Sequence, residues 1–433
     1  MKSLFDWYMR KKFADTGIGR FLKKLGPGVI TGASDDDPSG IATYSQAGAQ
    51  FGLATLWTAL LSFPLMAAIQ GMCARIGLVT SQGLTVTLKQ YYPRPVLYLM
   101  LLVSFPAITL NVGADIQGMG AVCHMMVPAV PVWMFCVAIT ALMMFTIIRY
   151  SYQKIAMILK WLCVSLFLYL IVPFLLHLNW MDILKHTFIP DIHWNNDYLS
   201  IIVAILGTTI SPYLFFWQTT MEAEEQEHSG NGKKRAQGIW VDKRMLKDMR
   251  TDVNAGMLFS NIVMFFIILT TGSVLFSAGI NQVETVDQAA KALEPLVGKL
   301  ASLMFTLGVL GTGLLAIPVL TGSQSYMLAE TLGWEEGLDK TFAEAKSFYI
   351  SIIISLLVGL SLDFLGVNPI KALLYTAIVY GLTAPVMIAM IMHIGNNKKI
   401  MKEYTNSWFS NLLGALTLIL MTAAAAALIY SLF

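Results

Sequence analysis

Three consecutive aspartates, Asp35, Asp36 and Asp37, stand directly before Pro38 inside an otherwise apolar run. A second apolar run carries Thr208, Thr209, Ser211 and Tyr213 around Pro212. A charged group at the centre of a bilayer costs about 2.5–3.5 kcal/mol on insertion scales, so it persists where it meets a wet cavity or a cation. Successive side chains on a helix point about 100° apart, so three neighbouring aspartates cannot all line one site. Asp37, next to the proline, is expected to face a bound cation, with Ser34, Ser39 and Gly40 as the other ligands from this run. Asp35 and Asp36 are expected to face a vestibule, pair elsewhere or carry protons. Opposite them, Thr208, Thr209, Ser211 and Tyr213 offer oxygen, and interrupted helices add free backbone carbonyls. There is no Met, Cys or His at this break. Such a hard oxygen set suits Mg²⁺, Ca²⁺ or Mn²⁺ rather than a soft metal. Each hydroxyl also has a plainer use, a bond back to a carbonyl of its own helix.

The elements that position these residues are transmembrane. The chain has 433 residues, of which 56% are hydrophobic and 13% charged, with a mean hydropathy of +0.64. Soluble domains carry roughly 25% charged residues. A spanning helix needs about 20 apolar residues, and apolar runs place eleven, at 27–51, 53–76, 95–120, 131–149, 153–177, 198–221, 252–277, 298–328, 347–365, 369–394 and 408–432. Segment 77–92 is too polar to span and reads as an interfacial connection. Segment 284–297 reads as a short amphipathic helix on the opposite side, and 222–250 as one long charged loop, part of it mobile. Residues 1–26 form a basic arm without the apolar core of a secretion signal, which places them in the cytoplasm.

Charge tests that map. With the N-terminus inside, 25 of the 29 lysines and arginines fall on the inner side, and only Lys185, Lys291, Lys299 and Lys371 fall outside. That is the positive-inside pattern, and an odd span count leaves the C-terminus extracellular. A net charge of +3 gives no reason to expect nucleic acid as a partner. The expected partners are the lipid bilayer of the plasma membrane and a divalent ion, for a chain acting as a monomer. Cys73, Cys123, Cys136 and Cys163 lack CxxC spacing and read as small buried hydrophobes, although Cys123 and Cys136 flank one outer loop and could pair.

The first and sixth spans are the two interrupted ones, at Pro38 and Pro212. They lie five spans apart, an odd number, so the second copy crosses the membrane in the opposite sense. This marks an inverted repeat, 27–177 against 198–394, with 408–432 as an added eleventh span and the site where the breaks meet.

The stretch GPGVITGASDDDPSGIATYSQAGAQFG, followed by LLSFPLMAAIQGMCARIGLVT, resembles the opening of the Nramp family of divalent-metal transporters. The resemblance implies an all-α polytopic protein of eleven helices with the LeuT-type inverted repeat. The family's Asp-Pro-Gly-Asn motif stands here as Asp37-Pro38-Ser39-Gly40, and its Met-Pro-His motif as Ser211-Pro212-Tyr213. The family's alanine carbonyl ligand falls at Thr208. Of the acidic pair on the third span, Asp115 matches the first member and Gly118 replaces the second. These departures resemble the Nramp-related magnesium transporters, which implies Mg²⁺ and Mn²⁺ transport without evident proton coupling. Mg²⁺ keeps several of its waters, and Gly40 and Ser211 leave room for them. On this reading the metal is the transported substrate and no resident cofactor is expected.

Three other readings stand beside this one. A proton-coupled Mn²⁺/Fe²⁺ importer is opposed by Ser211 and Tyr213. An amino-acid symporter on the same fold is opposed by the central carboxylate, which would repel an anionic substrate. A non-transporting sensor with an Nramp-like domain would carry a large cytosolic appendage. The sequence holds no HExxH and no GxxxxGK[ST], so neither zinc hydrolase chemistry nor ATP-driven pumping is expected.

Overall fold

The computed structural model describes residues 26–150, 167–176, 178–226 and 241–431. The basic arm up to residue 25, most of the fifth predicted span and the centre of the charged loop therefore lie outside the described residues, as does Cys163. Among the described residues the chain is helical without strands. Among the described residues nine helices, with Asn196–Gln226 counted as one, are long and apolar enough to cross a bilayer. The first span is not among the nine because its middle carries three charged residues, Asp35, Asp36 and Asp37, and of the fifth span the one described helix is Phe167–Leu175.

The helices are α1 Pro27–Asp35, α2 Pro38–Phe51, α3 Trp57–Thr80, α4 Leu84–Tyr91, α5 Arg94–Met126, α6 Val132–Arg149, α7 Phe167–Leu175, α8 Trp180–Phe188, α9 Asn196–Thr209 and α10 Pro212–Gln226. They continue with α11 Lys243–Thr271, α12 Val286–Ala290, α13 Glu294–Val297, α14 Ala301–Leu332, α15 Lys346–Ser361, α16 Pro369–Asn396, α17 Lys398–Met401 and α18 Trp408–Ser431. The 284–297 segment is helical as expected, begun by a capping box in which Thr285 and Gln288 serve each other's backbone. The 77–92 segment divides differently: its first residues finish α3, and α4 is a separate short helix.

The charged loop is shorter than the apolar pattern predicts, because α10 runs on to Gln226 and α11 already begins at Lys243. Glu, Lys and Arg end an apolar run but are good helix formers. The Asp242 carboxylate starts α11 by accepting from Met245 N–H at 2.7 Å. Cys123 and Cys136 are free thiols. Cys136 Sγ donates weakly to the Ile116 carbonyl instead, at 3.6 Å.

The distribution of polarity is that of a membrane protein. Leu102, Phe145 and Ile419 are exposed, while Asp35, Asp36, Asp37, Asn111 and Asp115 are buried. With little hydrophobic drive between helices in lipid, small residues set the close approaches. Gly28 and Gly32, one turn apart on α1, lie against α11. A Cβ on Gly32 would sit 2.2 Å from the Gly256 carbonyl oxygen, and one on Gly256 2.0 Å from that of Gly28. The Asp252 carboxylate of α11 also accepts from the N–H groups of Gly26 (2.7 Å), Gly28 (2.6 Å) and Val29 (3.3 Å), so it holds the otherwise unsatisfied start of α1. The other interrupted span is fixed in the same way: a Cβ on Gly207 of α9 would meet the Ala377 carbonyl of α16 at 2.0 Å.

Candidate cation site at two helix breaks

Each break is two residues long and ends on a proline. Asp36 (φ −85°, ψ 50°) and Asp37 (φ −68°, ψ 173°) separate α1 from α2, and Ile210 (φ −120°, ψ 58°) and Ser211 separate α9 from α10. The residue before a proline is driven out of the helical region, while the proline itself suits the first helical position. Asp37 is the N-cap of α2: its Oδ1 accepts from Gly40 N–H at 2.7 Å. The same local chemistry that restarts the helix therefore fixes a carboxylate at the break.

The other carboxylate oxygen of Asp37 points to α5. Asn111 Nδ2 donates to Asp37 Oδ2 at 2.8 Å and reaches Asp115 Oδ2 at 3.4 Å. Asn111 Oδ1 and Asp115 Oδ1 are buried without a hydrogen-bond partner. Asn111 did not stand out in the sequence, although its i,i+4 spacing from Asp115 puts both on one face of the third span. Gly118 faces α16, where a Cβ would come within 2.9 Å of Leu373 Cδ1. Leu373 thus occupies the space that a second acid would need.

Asp35 and Asp36 turn away from that cluster toward α11. The Ser260 hydroxyl lies 2.6 Å from Asp35 Oδ2 and 3.2 Å from Asp36 Oδ1. Asp35 Oδ1 and Asp36 Oδ2 are buried without a partner. The neighbours Asp35 and Asp36 thus share one partner on α11, while Asp37 turns to α5. Among the described residues no three His, Cys, Asp or Glu side chains converge on one point.

The expected hydroxyl ligands divide into two groups. Ser34 Oγ donates to Ile30 O (2.9 Å), Thr209 Oγ1 to Ile205 O (2.8 Å), and Ser211 Oγ contacts the carbonyls of Gly207 (3.0 Å) and Thr208 (2.7 Å). Those three are engaged along their own helices. Ser39 Oγ instead donates to the Leu373 carbonyl of α16 at 2.8 Å and lies 3.2 Å from Thr376 Oγ1. The groups that bring the two breaks together are Thr208, Gly40 and Tyr213. A Cβ on Gly40 would be 3.3 Å from both Thr208 Oγ1 and the Asp35 carbonyl oxygen. Tyr213 O–H donates to the Ser34 carbonyl at 2.9 Å, joining α10 to the end of α1. Its ring lies 5.8 Å from that of Tyr380 on α16, whose hydroxyl is buried without a partner, as is that of Tyr44. Met119 packs over Gly313, which also lies near Pro38. The arrangement offers a central carboxylate, backbone carbonyls at two helix ends and several hydroxyls, a surface suited to a hard cation that keeps some of its water.

Residues 28–431 match the family described as natural resistance-associated macrophage protein-like. The chain belongs to the Nramp family. Similar Nramp relatives include a divalent metal cation transporter MntH of Caldanaerobacter subterraneus subsp. tengcongensis, 25% identical over 405 residues, which cover 92% of this chain and 90% of that one. Another is the MntH of Verminephrobacter eiseniae, 25% identical over 424 residues, with 96% and 91% covered. The fold is shared with the Eremococcus coleocola manganese transporter (TM-score 0.73, 18% identity, 94% of this chain and 85% of that one). It is shared more distantly with a nucleobase-cation-symport-1 family transporter (TM-score 0.52, 12% identity, 93% and 92%). This Nramp chain is a multi-pass membrane protein.

Proposed function

We propose that the protein carries divalent metal ions across the plasma membrane by alternating access, taking Mg²⁺ and Mn²⁺ partly hydrated and without tight coupling to protons. The observation that carries this reading is the Asp37 carboxylate, held by Gly40 N–H and Asn111 at the point where two broken helices face each other. The names of the MntH relatives and of the Eremococcus transporter support a divalent cation as substrate. The preference for a hydrated ion draws support from Ser34, Thr209 and Ser211, whose hydroxyls are already bonded to their own helices. Fewer direct ligands mean more retained water, which Mg²⁺ favours.

The absence of tight proton coupling is supported by Tyr213, engaged with Ser34, and by Leu373 packed over Gly118. The membrane potential then drives entry, worth about 2.3 kcal/mol per charge per 100 mV and about twice that for a divalent ion. The reading includes a cytoplasmic N-terminus, an extracellular C-terminus, the 27–177 and 198–394 inverted repeats, and a monomer. A second reading, proton-coupled Mn²⁺/Fe²⁺ import, is favoured by one observation: Asn111 links Asp37 to Asp115. Liposomes loaded with a pH dye and a metal indicator distinguish the two. Mg²⁺ or Mn²⁺ entry without lumenal acidification is expected, and stoichiometric acidification would overturn the uncoupled reading.

A further inference from the structure

A cavity of about 480 Å³ lies away from the cation site, between α3, the start of α11 and the start of α18. Its lining is mixed: Phe63, Pro64 and Leu413 supply apolar surface, and Arg75, Arg250 and Asn254 supply polar groups. Arg75 lies five residues before the end of α3, and Arg250 seven residues after the start of α11. At about 1.5 Å per residue, both sit roughly 8–11 Å inside the helix ends. These ends belong to the face that carries the clustered lysines of α17 and its loop, Lys398, Lys399 and Lys402.

The two arginines have capacity to spare. Arg75 Nη2 donates to Asn406 Oδ1 at 2.7 Å, but its Nε is buried without a partner. Among the described residues neither Arg75 nor Arg250 meets a carboxylate at ion-pair distance. Glu403 also lines the cavity, so its lining charges sum to a single positive one. That balance fits one phosphodiester monoanion, and arginine is the side chain best shaped for phosphate oxygens. In front of Gly71, on the same helix face as Arg75, a Cβ would meet nothing within 4 Å, so the groove continues open along α3. Basic pockets between helices on the positively charged side of a membrane protein bind lipid head groups.

We infer that this cavity is a binding site for one phospholipid, with the phosphodiester on Arg75 and Arg250 and an acyl chain along Phe63, Gly71 and Leu413. A water-soluble phosphate would use the arginines but leave the apolar surface bare. The test uses the full chain in neutral detergent, with bound lipid measured by native mass spectrometry and thermal stability measured in parallel. Three probes are compared: phosphatidylglycerol, a galactosyl diacylglycerol with the same chains, and glycerol phosphate.

Phosphatidylglycerol is expected to bind and stabilise at least fivefold more strongly than either of the others. The double variant Arg75→Gln/Arg250→Gln should lose that margin. Gly71→Leu, which fills the open groove, should lose the lipid while leaving the arginines in place. Because Arg75 is partly buried, Arg250→Gln alone, at an exposed position, serves if the double variant fails to fold. Equal binding of the galactolipid would remove the phosphate from the proposal. Equal binding of glycerol phosphate would make this a site for free phosphate and overturn the lipid assignment. Unchanged retention in Arg250→Gln and Gly71→Leu together would overturn the site itself.

Discussion

Asp37 ends one helix break, caps the next helix and faces α5, so the side chain that restarts the helix is also the one we propose holds the cation. Asp37→Ala is expected to lower Mg²⁺ or Mn²⁺ uptake in liposomes by roughly a hundredfold, since it removes a charged partner worth about 1.5–3 kcal/mol. Asp35→Asn and Asp36→Asn, whose carboxylates turn to Ser260, should be milder. Wild-type uptake by Asp37→Ala would place the site elsewhere. Selectivity belongs to the same scale. Gly40 faces Thr208 and the Asp35 carbonyl at close range, so Gly40→Asn combined with Ser211→Met would place an amide and a thioether in the gap. The expected result is stronger inhibition by Cd²⁺ and weaker Mg²⁺ transport, read from competition assays in vesicles. Asp37 was legible in the sequence because Asp-Pro inside an apolar run has few other uses. Asn111, Ser260, Thr376 and Tyr380 were not, because a spanning pattern says nothing about which faces of distant helices meet. Ser39 shows the complementary difficulty: a hydroxyl adjacent to the key carboxylate points instead at the Leu373 carbonyl.

Among the elements, the contact of α1 with α11 depends on side chains that are absent. Gly32→Leu should destabilise the protein by about 1–3 kcal/mol, the usual range for overpacking, because even its Cβ would overlap the Gly256 carbonyl. Thermal unfolding in detergent would show it as a lower Tm, and a Tm equal to wild type would mean the helices can separate at no loss. The α14–α15 connection offers a pH test. Burial, with the Glu330 and Glu224 carboxylates nearby, raises the Glu336 carboxyl from the usual range to about 9. A carboxyl that is easier to protonate when folded stabilises at low pH, and that contribution fades as pH rises from about 5 to about 9. Tm should therefore fall across this interval, and Glu336→Gln should flatten the dependence. An unchanged slope in the variant would assign it to other groups. Span locations were readable from apolar runs, but their ends were not. Charged residues that leave the bilayer can continue a helix, as α10 and α11 do on either side of the loop.

For the whole molecule, the argument for the proposed orientation is that it would put 25 of the 29 basic residues on the inner side. Single cysteines introduced at Gly230 and after Phe433 should react with a membrane-impermeant reagent from opposite sides in cells, and labelling from one side would remove a span. The pairing of two breaks was evident in the sequence because both carry proline among polar residues. Their mutual contact through Tyr213 and Ser34 needed the third dimension. The way α1 is tethered has one more consequence. This half-helix is nine residues long, so about 14 Å, and tilting it alone by about 20° would swing its start by roughly 5 Å. Such a swing would tear Gly26, Gly28 and Val29 from the Asp252 carboxylate, whereas carrying α11 along keeps all three bonds. On the proposed alternating-access reading, any tilt of α1 would therefore carry α11 with it, and the Asp36–Asp37 break would be the point about which α1 turns. An ion bound at Asp37 would sit at that pivot, where a rotation displaces it least while the far end sweeps a passage open or shut.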